Sequence, residues 1–431
     1  MVSSSLLYTL ASVFQISIAG TIPSRSRPPV ARAAAAPAIP TPTLISDFKK
    51  DNVSAQWAPG HPLQWGTEEK LIEFPIPLES YGSLSAALSD DEKFLILTNE
   101  TFIKVISVAD GSLVSTPTFN ASEQQIESIL LRTAPDGGYD LLVSTQQSYS
   151  NFKNFQIRIS KDGISTGEPV ERLGEFTTFE TWYSGTGASP LSKDRRRFVT
   201  ENGDRPGVAY IYDFEDASAS VTLEGHTDRI MSAVFSPDGK TVATAGWDGY
   251  GKLWDATSGK LLHDLGPYKA QNWLARFSPD GNNILVSIGS RANVSIWDTR
   301  DLTKAPVVFG PFGGWVRTAA WSPKGDFLAI GGDSGLITIY RTSDWAVAQT
   351  WQMEDRSNEA FQLEWLDGGK KISYRIMGGL EMYDFETNLK YRWGPGDFDR
   401  FTGGGNTLIV KSKNWIGGVE ADNTVKFWKY E

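Results

Sequence analysis

The sequence predicts an all-β chain built from one antiparallel unit used many times over. Three observations carry this. Apolar and polar residues alternate in short runs separated by Gly-, Pro- and Asp-containing turns, the period-two signature of half-buried strands. Runs that end alike recur at a constant interval: Trp254, Trp297, Tyr340 and Tyr383 are 43 residues apart each time. Composition agrees, with 15 Trp, 14 Tyr and 41 Gly in 431 residues, because aromatic rings pack on sheet faces and Gly supplies the positive φ of tight turns.

The fullest unit is Leu223 to Asp255, LEGHTDRIMSAVFSPDGKTVATAGWDGYGKLWD. An alternation ends at Phe235, the turn Ser236-Pro237-Asp238-Gly239 follows, and a second alternation leads to Trp254-Asp255. This stretch resembles a WD repeat, with Gly225-His226 and Trp254-Asp255 in the places of the two signature dipeptides. The resemblance implies a closed β-propeller of WD-repeat type. It also implies a hydrogen-bonded chain of His, Ser or Thr, Asp and Trp within a blade, and the matching positions are His226, Thr244, Asp248 and Trp254. His226 therefore reads as structural rather than as a catalytic or metal-binding residue.

Taken in order, residues 1–46 differ from all that follows. Leu6 to Gly20 is an apolar run of signal-peptide length with small residues suited to cleavage after Ala19, and the acid-poor, Arg-, Ala- and Pro-containing stretch behind it fits an organelle leader or a disordered linker. Both are shorter or more polar than a membrane span requires. Residues 47–70 read as an irregular lead-in, and 71–431 as the repeat domain.

Closing strands follow at Ile106, Ile157, Ile211, Leu253, Ile296, Ile339, Met382 and Phe427. Eight such strands suggest eight blades, with seven as the alternative because the first two steps are long. The turn before the second strand repeats at Ser278, Ser322, Leu366 and, more weakly, Ala134, with Pro at the first central position and Gly accepting positive φ. The chain ends on a third strand, so Lys70 to Leu78 is expected to close the ring as an outer strand, an edge position that tolerates Pro75 and Pro77. The complete four-residue network occurs once; the next unit has Arg291 where Asp248 stands, and the other blades are expected to rest on apolar packing.

Composition narrows the chemistry. A formal net charge of −10 argues against a general nucleic-acid binder, and Arg195-Arg196-Arg197 reads as a solvated loop rather than an anion site. There is no cysteine, and His61, His226 and His263 show no metal-ligand spacing, so no metal or other cofactor is expected. No nucleophile elbow, phosphate loop or zinc-helix motif is present, and no catalytic residue is assigned.

The binding candidates lie at the entrance to each inner strand, positions that in the resembling propellers face the mouth of the central channel. Aligning units on Phe235 places Trp182, Arg229, Trp315 and Glu359 in one ring of positions and Trp273 and Arg317 in the next; Trp and Arg concentrate binding energy at interfaces. The expected function is a non-catalytic scaffold for a protein or peptide, a monomeric propeller within a larger assembly, with no transmembrane span. The alternative is a secretory-pathway propeller enzyme or carbohydrate- or small-molecule-binding protein. Family resemblance favours an intracellular location; residues 1–46 and the sequons at Asn52, Asn99, Asn120 and Asn293 leave the secretory pathway or an organelle open.

Overall fold

The hairpin between the two inner strands of a blade is made by a serine whose side chain and carbonyl both bind across the turn. Ser236 Oγ donates to Asp238 Oδ1 (2.6 Å) and accepts from the Thr241 amide (3.0 Å), while the Gly239 amide reaches the Ser236 carbonyl (2.8 Å). Ser278 and Ser322 repeat the device, with Gly281 and Gly325 at positive φ. So do Ser89 and Ser192, turns that the sequence pattern hides, because Glu92 and Arg195 take the left-handed position with φ of 56° in each case. The serine bonds hold that strained position without glycine.

The computed structural model describes residues 56–430 except 65–67, 74–84, 99–101, 119–124, 149–150, 173–175, 178–189, 203–204, 217–219, 290–292, 353–359, 377–378, 395–406 and 421–423. The expected leader, the sequons at Asn52, Asn99 and Asn120, and Pro75 and Pro77 lie outside the described residues. Eight antiparallel sheets follow one another along the chain. Blade 1 is Ser85–Leu88, Phe94–Thr98, Ile103–Ser107 and Leu113–Ser115; blade 2 is Gln125–Thr133, Tyr139–Ser148, Asn151–Ile159 and Ser165–Arg172. Blade 3 comprises Phe176–Thr177, Arg197–Asn202, Val208–Asp213 and Ser220–Glu224, and blade 4 Ile230–Phe235, Thr241–Gly246, Gly251–Asp255 and Leu261–Leu265. Blade 5 is Ala275–Phe277, Asn283–Ile288, Asn293–Asp298 and Val307–Phe309; blade 6 is Val316–Trp321, Phe327–Gly332, Leu336–Arg341 and Val347–Gln352. Blade 7 runs Phe361–Leu366, Lys371–Ile376, Gly379–Asp384 and Leu389–Gly394, and blade 8 Thr407–Val410, Trp415–Glu420 and Thr424–Lys429.

Blade 8 takes its fourth strand from the other end of the repeat domain. Lys70–Glu73 pairs antiparallel with Thr424–Lys429, Ile72 opposite Val425. The closure is also apolar: Ile72, Leu95 and Ile106 pack with Leu408, Val425 and Phe427 in one buried cluster between blades 8 and 1. Seven further clusters occupy the seven other blade junctions. Eight sheets with eight junctions make an eight-bladed ring, and the seven-bladed alternative falls away. The long early step is accounted for by blade 2 itself, whose strands run 9, 10, 9 and 8 residues. Among the described residues no α-helix occurs, and no helix is long and apolar enough to cross a membrane.

Two expectations need correction. Residues 56–64 are more ordered than an irregular lead-in: Gln56–Trp57 and Leu63–Gln64 pair in parallel with the outer strand Leu389–Gly394 of blade 7. His61 seals this addition, its Nδ1 3.0 Å from the Arg392 carbonyl and 3.1 Å from the Arg392 amide and its ring edge-on to Tyr391 and Trp393. Nor does apolar packing alone hold the blades without a histidine. In blade 5 the Tyr268 hydroxyl donates to Ser295 Oγ (2.7 Å) and accepts from Trp297 Nε1 (2.9 Å), reaching from the preceding loop to do what His226 does one blade earlier. Blade 2 buries a Ser144–Asn154 hydrogen bond (2.5 Å) and blade 6 a Thr338–Thr350 pair (3.1 Å).

Candidate functional site: three indoles and an arginine on one face

The site begins with the blade 4 network. Trp254 Nε1 donates to Thr244 Oγ1 (2.9 Å), Thr244 lies 2.7 Å from His226 Nε2, and His226 Nδ1 lies 2.9 Å from Asp248. Trp254 and Thr244 are fully buried. Threonine has one proton to give and Trp can only donate, so the chain runs Trp to Thr to His to Asp, with the His226 proton assigned to Nδ1 by that requirement. Burial pushes the Asp248 carboxyl up, but the His226 contact and the Thr227 and Tyr250 amides outweigh it, and it stays below the usual carboxylate range.

Asp248 thereby fixes its neighbours. It sits in the turn Trp247-Asp248-Gly249, whose first residue donates its amide to the Arg229 carbonyl (2.8 Å). The loop into blade 5 is tied to the same turn: the Tyr268 amide donates to the Gly249 carbonyl (2.8 Å) and the Asn272 amide to the Gly246 carbonyl (3.1 Å). Gly249 has φ +84°, and a Cβ there would stand 2.1 Å from the Tyr268 carbonyl, so glycine is required by both backbone and space.

One backbone link repeats from blade to blade. The carbonyls of Arg229, Gln271 and Trp315 accept the amides of Trp247 (2.8 Å), Gly289 (2.8 Å) and Asp333 (3.0 Å). These three positions are thus structurally equivalent, as the alignment of the units expected. The result is a row of aromatic residues across blades 4, 5 and 6. Trp247 and Trp273 have ring centroids 5.4 Å apart, and Trp273 meets Trp315 edge to face at 5.0 Å. The Arg317 guanidinium lies 5.1 Å from both the Trp273 and the Trp315 ring, and Asp333 holds it from the other side, Nε to Oδ1 2.5 Å and Nη2 to Oδ2 3.1 Å. A bidentate pair combined with cation–π contact restrains both rings. All three indoles are half-buried, with part of each surface open to solvent.

Of the sequence candidates, Trp273, Trp315 and Arg317 come together, joined by Trp247. Arg229 joins the row through its backbone, its carbonyl accepting the Trp247 amide, and its charge acts on Glu201. Trp182 and Glu359 lie outside the described residues. The alignment that singled out Trp182 also shifts: the Ser192 turn and the Leu191–Phe198 bridge give Leu191, not Ala188, the place that Phe235 holds in blade 4, three residues further along the chain. The basic run Arg195–Arg197 is a structural link. Arg195 pairs with Asp90, Arg196 with Asp213, and Arg197 donates to the carbonyls of Ala256 and Gly239.

Glu201 escaped sequence reasoning because it stands in a strand, Arg197–Asn202, that otherwise reads as ordinary alternation. Its carboxylate is buried between blades 3 and 4 and accepts the Gly207 (3.1 Å) and Ile230 (2.8 Å) amides; burial pushes its pKa to about 7 against those hydrogen bonds. Among the described residues no grouping of His, Asp and Glu has the geometry to hold a metal ion.

Eight four-stranded units closed through a terminal strand define an eight-bladed β-propeller, and the full His226–Asp248–Thr244–Trp254 chain makes its blade 4 a repeat of WD type. The family described as WD domain, G-beta repeat matches residues 218–255 and 307–341, in each case the outer strand of one blade and the first three strands of the next, blades 4 and 6. The chain is similar to small ribosomal subunit protein RACK1y of Oryza sativa subsp. japonica, 29% identical over 31% of this chain and 40% of the rice protein. It is similar as well to actin-interacting protein 1 of Drosophila melanogaster, 26% identical over 42% of this chain and 31% of the fly protein. The WD repeat and SOCS box-containing protein 1 of Homo sapiens is 31% identical over 29% of each chain. The matched part of this chain thus spans less than half of each of these three relatives.

Proposed function

We propose that this protein is a non-catalytic propeller that binds a protein or peptide on the face carrying Trp247, Trp273, Trp315 and Arg317. One observation carries the reading: three half-buried indoles from three consecutive blades form a contacting row, and two of them, Trp273 and Trp315, lie against a guanidinium that Asp333 anchors. Trp247 is set by the backbone bonds of its turn, and Trp273 and Trp315 are packed against each other and Arg317 at their strand entrances, so little side-chain freedom remains to be lost on association. The Asp333 pairing balances the Arg317 charge locally, leaving a surface that favours apolar and aromatic partner side chains over strongly charged ones. The similarity to a protein named for its interaction with actin supports a protein ligand as a class and names no partner for this chain.

The test is quantitative capture from native extract with wild type and the Trp273→Ala/Trp315→Ala double variant. Truncating a hot-spot aromatic costs about 2 kcal/mol or more, so a genuine partner should drop by at least about 30-fold. Undiminished capture by a double variant with wild-type melting behaviour refutes this face. The alternative reading, a carbohydrate-binding propeller, makes the opposite forecast: glycans rather than proteins would then bind and depend on the same indoles.

A further inference from the structure

The opposite ends of the inner strands, where the serine turns lie, surround a second feature. The strand ends of blades 4 to 7, with Leu191 and Lys193 of blade 3, line a half-open cavity of about 450 Å³, within the range that holds small organic ligands. One structurally equivalent position on four successive inner strands is occupied by Val234, Arg276, Ala320 and Glu364, and all four line it. The next position supplies rings, among them Phe235, Phe277 and Trp321. The wall is therefore mostly apolar, with a deep guanidinium on one side.

Arg276 is 5% exposed. Its Nη1 donates to its own neighbour's carbonyl, Ala275 (2.8 Å), and to Ser232 Oγ of blade 4 (3.4 Å), which turns the guanidinium back over the inner edge of the sheet. Desolvation holds it down to about 9. A charge taken out of water gains from an anion brought beside it. Glu364, the one acidic residue lining the cavity among the described residues, is pushed towards its neutral form by burial, an effect Lys411 partly offsets. Lys193, exposed at the wall, adds a second positive group. In a chain of net charge −10 this cavity carries the opposite sign.

We propose that the cavity is a binding site for a small carboxylate with an aromatic or aliphatic body. The carboxylate would sit on the Arg276 guanidinium and the body among Phe235, Phe277 and Trp321. The site is at the other end of the inner strands from the indole face, so its success or failure leaves the protein-binding reading untouched.

The test titrates the full chain with phenylacetate, its neutral analogue phenylacetamide, and acetate, by calorimetry and by Trp fluorescence. Phenylacetate should saturate below about 10 mM and bind about tenfold or more tighter than the amide, as a charge-assisted hydrogen bond would give. Acetate, lacking the body, should bind more weakly than phenylacetate. Arg276→Gln should bring phenylacetate down to the level of the amide without changing the amide. Equal affinity for acid and amide, no saturation by phenylacetate, or a folded Arg276→Gln variant that keeps the preference overturns the proposal. Should Arg276→Gln fail to fold, the comparison of acid with amide on the unmodified protein decides by itself.

Discussion

Thr244→Val isolates the blade 4 network with almost no change of shape. The hydroxyl receives the Trp254 indole N–H at 2.9 Å and meets His226 Nε2 at 2.7 Å, and the residue is fully buried. Valine removes both bonds at once. It leaves an indole donor and an imidazole acceptor buried side by side, and each unsatisfied buried group costs about 1–3 kcal/mol. The expected loss is therefore about 2–6 kcal/mol. Tyr268→Phe in blade 5 is the matched control. There Trp297 Nε1 keeps Ser295 Oγ at 3.2 Å and Ser295 keeps the Val286 carbonyl at 3.3 Å, so no group is orphaned and about 1 kcal/mol should be lost. Urea denaturation followed by Trp fluorescence, with the slopes checked for equality, measures both. Equal losses in the two variants, or a Thr244→Val loss under 1 kcal/mol, would refute the idea that this chain of hydrogen bonds supports the blade.

Glu201 gives the fold a pH dependence with a defined sign. Its pKa rises from 4.5 to about 7 on folding, so the unfolded chain ionises first and stability falls as pH climbs from about 4.5 to 7. At roughly 1.4 kcal/mol per pH unit the penalty reaches a few kcal/mol at pH 8. Glu201→Gln should flatten that slope in denaturation curves measured at pH 5, 6, 7 and 8; an unchanged slope would exclude Glu201 as its source. Gly249→Ala should cost about 2 kcal/mol or more, through strained φ and the 2.1 Å approach to the Tyr268 carbonyl. It should also shift the Trp fluorescence of the indole face, because Trp247 belongs to the same turn.

Much of this architecture is local in origin, and that part could be read from the sequence. The 43-residue step, the Ser-Pro-Asp-Gly turns and the four positions His226, Thr244, Asp248 and Trp254 each depend on contacts within one blade, where short-range φ/ψ preference and hydrogen-bond chemistry dominate. The closing role of Lys70–Glu73 followed from counting strands, because a ring with an unfilled edge exposes backbone groups that seek a partner. The turns at Ser89 and Ser192 stayed hidden because residues other than glycine occupy the left-handed position, stabilised by a serine that the turn signature does not require.

What lies between blades was decided by the tertiary structure. Trp247, Trp273 and Trp315 hold three different positions within their repeats, so no single frame aligns them; they meet because neighbouring sheets pack side by side. Tyr268 stands where His226 does when the units are aligned on Phe235 and Phe277, but its part in the network could not be read from that position, since its longer side chain reaches Ser295 on the third strand, whereas His226 reaches Thr244 on the second. Alternation, turn residues and the 43-residue interval by themselves determined that this acidic, cysteine-free chain forms a ring of sheets. Only the stacking of those sheets decided which of its aromatic rings became a surface and where a buried arginine came to line a cavity, because both depend on distances between residues some forty positions apart.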